Sequence, residues 1–268
     1  MINFLHTYLP DPIMLDFGLI EIHWYGFFIV LGGLLGTLAL YYLVEKYKLD
    51  KKYLSDLIFY FIISALVGAR LYYVIYAWEF YRTNLGEVFM VWHGGLAIHG
   101  AIIGGLVALY FFIRKNKQNF WLWSDIIVVG LLIGQIFGRW GNYFNQEIFG
   151  RPTDLSWGIP ISLINRPIGF TDFNYFHPTF LYEIIGNIFI LSILIFCHWL
   201  SLKGKIRLPH GLVVAIYLFT YSCLRFGLEF LRLDFSPTVL SIRWAQIFSI
   251  LLIFIAVFIA FKHLKQKK

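Results

Sequence analysis

Seven long apolar runs separated by polar connections dominate the pattern along the chain: 20–44, 54–78, 96–114, 120–138, 179–200, 211–232 and 241–262. Each approaches the roughly 20 residues that a helix needs to cross a hydrocarbon core. A soluble helical bundle would show apolar stripes with polar faces between them, whereas these runs are apolar nearly all round. The pattern therefore predicts an all-α, polytopic membrane protein of seven transmembrane helices, one integral membrane domain over 1–268. Only one connection is sizeable. Residues 139–178, rich in Pro, Gly, Asn and Asp, predict a small extracytoplasmic cap of turns and short elements between spans 4 and 5. Within the spans, Gly32/Gly36, Gly100/Gly104 and Gly130/Gly134/Gly138 set small residues four apart, the spacing that lets helices approach closely.

Composition agrees with a membrane setting: 59% of the 268 residues are hydrophobic and 14% charged, against roughly 25% charged in soluble domains. The basic residues then orient the chain. They concentrate in alternate connections, at Lys46, Lys48, Lys51 and Lys52, at Arg114, Lys115 and Lys117, at Lys203, Lys205 and Arg207, and at Lys262, Lys265, Lys267 and Lys268. The intervening connections carry fewer, and the first 19 residues none. This asymmetry predicts an outside N-terminus and a cytoplasmic C-terminus. The net charge of +7 is then a topology signal with some affinity for anionic lipid, and it implies no nucleic-acid partner. The N-terminus has neither a basic n-region nor a small-residue cleavage site, so span 1 is not expected to be a removable signal peptide. Cys197 and Cys223 stand alone inside spans, without a basic neighbour to make a thiolate, and read as small core residues.

With that orientation, the polar residues inside the spans sort to the outer leaflet: Glu21, His23 and Tyr25 in span 1, Arg70 in span 2, His93 and His99 before span 3, Arg139 and Asn142 after span 4, His177, Tyr182 and Glu183 at span 5, and Tyr221, Arg225, Glu229 and Arg232 in span 6. Ionisable residues cost about 2.5–3.5 kcal/mol each to insert and usually face a cavity or a partner. Each has a plain reading alone, such as snorkelling for Arg232 or an ion pair between Glu183 and Arg70. Their shared depth argues for one polar cavity opening outward. Arg70, Arg139, Arg225 and Arg232 suit a phosphate, which in a bilayer means a lipid headgroup. Tyr221, Arg225, Glu229 and Arg232, at i, i+4, i+8 and i+11 of span 6, share one helical face. No HExxH, Walker loop, metal-ligand spacing or GxSxG elbow is present, so no metal or organic cofactor is expected.

The motifs HWYG (23–26), HGGLAIHG (93–100), GRWGNYFNQEIFGRP (138–152), HPTFLYE (177–183) and YSCLRFGLEFLR (221–232) resemble those of the bacterial prolipoprotein diacylglyceryl transferases. The resemblance implies transfer of the diacylglyceryl group of phosphatidylglycerol to the lipobox cysteine of a prolipoprotein signal peptide, in the bacterial cytoplasmic membrane, with release of glycerol 1-phosphate. It marks Arg139 as the lipid-binding arginine, His99 as the essential histidine and Gly100 as its neighbour. Tyr25, Asn142, Glu147, Gly150, Tyr221, Arg225, Glu229 and Arg232 fall on further functional positions, whereas His93 is assigned no role. A thiol with a pKa near 8.5 needs a base or electrostatic help at neutral pH, for which His99 is suited. Arg139 and Arg225 would stabilise the departing phosphate. The competing readings are a lipid or amphiphile transporter, which calls for polar residues in both leaflets, and a non-catalytic receptor for signal peptides, which has no use for His99.

Overall fold

Helices account for most of the chain. The computed structural model describes residues 2–18, 21–206, 208–234 and 236–265; Ile20, where the first span was expected to begin, and Arg207, Lys267 and Lys268 of the basic connections lie outside these. In chain order the elements are α1 (Ile2–Thr7), β1 (Ile13–Asp16), β2 (Glu21–His23), α2 (Trp24–Lys46), α3 (Lys51–Tyr76), α4 (Trp78–Tyr81), α5 (Ile98–Lys115), α6 (Phe120–Phe144), β3 (Ile159–Pro160), β4 (Tyr175–Phe176), α7 (Thr179–Leu202), α8 (Leu212–Leu228), β5 (Thr238–Val239), β6 (Ile242–Arg243) and α9 (Trp244–Lys265). The strands form three separate antiparallel pairs, β1–β2, β3–β4 and β5–β6. Among the described residues six helices, α2, α3, α5, α6, α7 and α9, are long and apolar enough to cross a membrane, and α8, with 17 residues, is shorter. Phe59, Ile62, Ile75, Phe254 and Phe258 point outward from α3 and α9, as suits helices solvated by lipid. This is a polytopic, mainly helical membrane architecture.

Two of the predicted ends move. The fourth run is helix from Phe120 through Arg139 to Phe144, so Arg139 and Asn142 belong to the last turns of α6 and not to a loop. The sixth stops early: α8 ends at Leu228, and Glu229 and Arg232 lie in the turn that follows it. The face expected to run unbroken through 232 is thus half helix and half turn.

The chain forms two compact units, residues 41–123 and residues 1–40 with 124–268. In the first, α3 and α5 pack antiparallel with their backbones nearly touching. A Cβ on Gly100 would collide with the Gly68 carbonyl, and one on Gly104 with the Ser64 carbonyl. The sequence pattern is thereby explained as packing, and Gly100 has a structural reason to lack a side chain. Asp50 caps α3 by accepting from the Lys52 amide at 2.8 Å.

In the second unit α2 and α6 are antiparallel, and a Cβ on Gly36 would come within 2.8 Å of the Gly130 carbonyl oxygen. Gly134 backs Gly32, whereas a Cβ on Gly138 would have ordinary room at 3.8 Å from Ile29. The buried start of α8 is capped from α6, where Asp125 accepts from the Gly211 and Val214 amides at 2.7 and 2.8 Å. Those amides would otherwise be orphaned donors in an apolar setting. Beyond the end of α6, Leu5, Phe149, Ile159, Ile161 and Phe176 pack on Ile136, Tyr143, Phe180 and Ile184. This small core seats α1 and the β3–β4 pair on the ends of α6 and α7.

Candidate functional site

The last two turns of α6 set a chain of polar contacts in motion. Arg139 donates from Nη1 to Asn142 Oδ1 at 2.8 Å, and Asn142 passes its own amide to Glu147 Oε1 at 2.7 Å. From Nη2, Arg139 pairs with Glu183 Oε1 on the first turns of α7 at 2.7 Å. Tyr221 of α8 donates to the same Glu183 oxygen at 3.2 Å. Three helices thus meet at one arginine–carboxylate pair, with Glu183 2% exposed and Asn142 4%. Tyr25 joins from α2 and lies within electrostatic reach of Glu147 and Arg139. Its ring occupies the space that a side chain at position 141 would fill, which is why Gly141 follows Arg139 by two residues.

A second cluster continues past α8. Arg225 pairs with Glu229 Oε2 at 2.9 Å, one helical turn apart. Arg243, on β6, reaches the other Glu229 oxygen at 3.2 Å and donates to the carbonyls of Glu229, Arg232 and Asp234. Arg232 makes a two-pronged pair with Asp234 at 2.7 and 2.9 Å. Burial works to raise the Asp234 carboxyl, but the hydrogen bond and charge of Arg232, aided by the charge of Arg243, hold it below the usual carboxylate range. Tyr221 lies within electrostatic reach of both Arg139 and Arg225, so the two clusters are continuous.

The loop between α6 and the cap is held under tension. Gln146 and Ile148 both take positive φ, +51° and +58°, and for β-branched Ile148 that is an outlier. Gln146 is tied at both ends, donating to Pro10 O at 2.7 Å and accepting from the Ser162 amide at 2.6 Å. The Thr179 hydroxyl donates to the Ile148 carbonyl. Gly150 then passes between His177 and Leu231 where a Cβ would lie 2.7 Å from the His177 side chain, and it bridges to Arg232. His177 meets the Tyr182 hydroxyl at 3.0 Å, and burial lowers its pKa.

Among the predicted site residues, Tyr25, Arg139, Asn142, Glu147, Gly150, Tyr221, Arg225, Glu229 and Arg232 all lie in this second unit. His99 and Gly100 lie in the other. There His99 is exposed in the first turn of α5, its ring tilted 31° against Tyr72 at 5.8 Å. The loop before it is stitched to α3, with the Ala97 amide on Ala69 O at 3.1 Å.

Arg70 departs from expectation. Its depth in the sequence suits an anion-binding arginine or a partner for Glu183, yet Glu183 is held by Arg139 and Tyr221. Arg70 is 6% exposed and gives Nε to Val88 O, Nη1 to Gly94 O and Gly95 O, and Nη2 to Glu87 O and Met90 O. A guanidinium has five N–H donors, and all are spent on the carbonyls of one loop. Gly94 and Gly95, both at positive φ, turn those carbonyls inward. Arg70 staples the HGGLAIHG loop. Two residues of weight escaped sequence reasoning: Arg243, which resembled any connection arginine, and Asp234, a short polar residue in a turn. Glu183 is visible in its motif, but its partners, Arg139 and Tyr221, are set by the packing of three helices.

Comparison with known proteins decides the lineage. Residues 12–262 match the prolipoprotein diacylglyceryl transferase family. The chain belongs to this family. It is 41% identical over 241 residues to the phosphatidylglycerol–prolipoprotein diacylglyceryl transferase of Trichormus variabilis (strain ATCC 29413 / PCC 7937), covering 90% of this chain and 85% of that protein. It is 39% identical over 244 residues to the enzyme of that name from Synechocystis sp. (strain ATCC 27184 / PCC 6803 / Kazusa), at 91% and 86% coverage. For the one from Gloeobacter violaceus (strain ATCC 29082 / PCC 7421) the identity is 40% over 242 residues, at 90% and 88%. In this diacylglyceryl transferase family member, residues of the stretches 138–152, 177–183 and 221–232 build the cluster around Arg139.

Proposed function

We propose that the protein moves the diacylglyceryl group of phosphatidylglycerol onto the cysteine thiol of a prolipoprotein lipobox, as a seven-span enzyme of the bacterial cytoplasmic membrane with its site toward the outer leaflet. One observation carries the site assignment. Arg139 and Arg225 are each anchored by a buried carboxylate, yet Arg139 Nε and Arg225 Nη1 are buried without a hydrogen-bond partner. Buried donors of this kind are rare unless something is meant to receive them. A phosphate diester oxygen, arriving beside two oriented guanidinium groups in a low-dielectric setting, is such a receiver.

The reaction then follows. The thiol sulfur attacks the glyceryl carbon that bears the phosphate, the C–S bond forms as the C–O bond breaks, and the electron pair leaves on glycerol 1-phosphate. The arginines gain most as charge develops on the leaving oxygen, so they favour the transition state over the bound lipid. Asn142 and Glu147 fix the orientation of Arg139, and Tyr25 closes the same side. Glu229, held by Arg243, performs that service for Arg225, while Arg232, its fork taken by Asp234, locks the turn. His99 enters on its motif as the base for the thiol proton.

The test is transfer of radiolabelled diacylglycerol from phosphatidylglycerol to a lipobox peptide by the purified chain; absence of transfer rejects the assignment. In the same assay His99→Gln is expected to lose about 10²–10⁴-fold in rate with lipid binding intact, and to recover partly at higher pH, where the thiol ionises unaided. Weakened lipid binding without recovery would move His99 out of the base role.

A further inference from the structure

One helical turn away from the arginine cluster, on the side remote from the cap, lies a second layer of polar side chains that this chemistry leaves unused. Gln135 precedes Arg139 by four residues on α6, Asn187 follows Glu183 by four on α7, and Tyr217 precedes Tyr221 by four on α8. Residues four apart share a helix face. Because Arg139, Glu183 and Tyr221 meet, the residues one turn along are aimed into the same space between the three helices. Gln135 Nε2 donates to the Tyr217 hydroxyl at 3.0 Å, and the Tyr217 and Tyr221 rings stack at 5.6 Å, tilted by only 11°.

This layer is buried and incompletely partnered. Asn187 is 0% exposed, and neither its Nδ2 nor its Oδ1 has a hydrogen-bond partner; Gln135 Oε1 has none either. A buried, unpaired N–H is rarer and costlier than an under-used carbonyl oxygen, so the amide donor of Asn187 is the atom that calls for a ligand. Tyr217, whose oxygen accepts from Gln135, keeps its own hydrogen to give. The layer thus offers two neutral donors, and no charged side chain belongs to it. Its natural guest is an uncharged acceptor.

We infer that Asn187 and Tyr217, the latter set in place by Gln135, receive the ester carbonyls of the diacylglyceryl group and so select diester over diether lipids. The inference rests on the transferase reading above, which places the phosphate at Arg139. In a glycerophospholipid the ester carbonyls lie a few bonds from the phosphate on the acyl-chain side. That is the direction, and about the 5 Å step, of one helical turn away from the cap. Asn187 and Tyr217 then hold the group that is transferred, while the arginines hold the group that leaves.

The experiment compares two phosphatidylglycerols of equal chain length, one with two ester linkages and one with two ether linkages, as donors to a lipobox peptide with the full chain. The wild-type protein should use the diester about tenfold better in kcat/KM, because the ether leaves the buried donors unpaired. Asn187→Leu, close in volume, should lower the diester rate toward the diether rate while leaving the diether rate within about twofold. The preserved diether rate shows that the variant is folded and its arginine cluster intact. Equal use of both lipids by the wild type, or an equal fall for both in Asn187→Leu, overturns the inference while leaving the transferase reading standing. No transfer from either lipid by the wild type rejects that reading, and the inference with it.

Discussion

At the scale of single residues, the site depends on geometry more than on charge. Arg139 divides its fork: Nη2 faces Glu183, Nη1 faces Asn142 and Nε is left for a ligand. A lysine at this position would keep the charge and lose the division, since an ammonium is a point donor that can satisfy Glu183 alone. Arg139→Lys should therefore cost about 10²–10³-fold in kcat, comparable to removing a preorganised transition-state donor. Circular dichroism of the variant should stay unchanged, because the helix ends elsewhere. Transfer at the wild-type rate would show that charge alone suffices. Arg70 teaches the converse, for an arginine at a suggestive depth in the sequence is a staple whose every donor is consumed by its own loop.

At the scale of elements, what periodicity could reveal it did, and what depends on chain-distant partners it did not. Each apolar run holds a long helix within the described residues, and the spacings Gly32/Gly36, Gly100/Gly104 and Gly130/Gly134 lie where backbones of neighbouring helices touch. The early end of α8 was hidden because Glu229 and Arg232 continue the helical spacing although the chain has already turned. The helical spacing does not mark that change; the turn is locked by the Arg232–Asp234 pair and by Arg243, which reaches back from β6. The short strand pairs were likewise invisible, being two to four residues long, and β3–β4 is set by cap packing. The helix contacts themselves make a prediction. Gly36→Val would drive a branched side chain into the Gly130 backbone, which has no rotamer with which to yield, so α2 and α6 must separate. A loss of about 1–3 kcal/mol is expected, read as a lower melting temperature in detergent, while Gly33→Val, with nothing within 4 Å, should be neutral. Equal melting of the two variants would refute the close-packed interface.

At the scale of the whole molecule, orientation turns on its shortest long helix. Leu212–Leu228 has 17 residues, about 25 Å of helix, at the lower limit for a hydrocarbon core of about 30 Å. Two features favour a crossing. The start of α8 is sealed by Asp125 of α6, so no bare amides face lipid there. Its other end opens into the turn of Glu229 and Arg232, whose charges are paired and extend the structure beyond the helix. If α8 crosses, α7, α8 and α9 carry the chain across three times after the cap, and the cap and the C-terminus face opposite compartments. The basic residues agree, since Lys203 and Lys205 follow α7 and Lys262 and Lys265 close α9, on the side where positive charge is retained. A reporter fused after Lys268 should therefore be cytoplasmic, and one inserted near Asp172 in the cap external. Both reporters on one side would mean that α8 dips into the bilayer and returns. If both were cytoplasmic, the cluster around Arg139 at the cap end of α6 and α7 would face a different leaflet from the one where a secreted lipobox cysteine emerges, and the proposed reaction would have no route to its thiol.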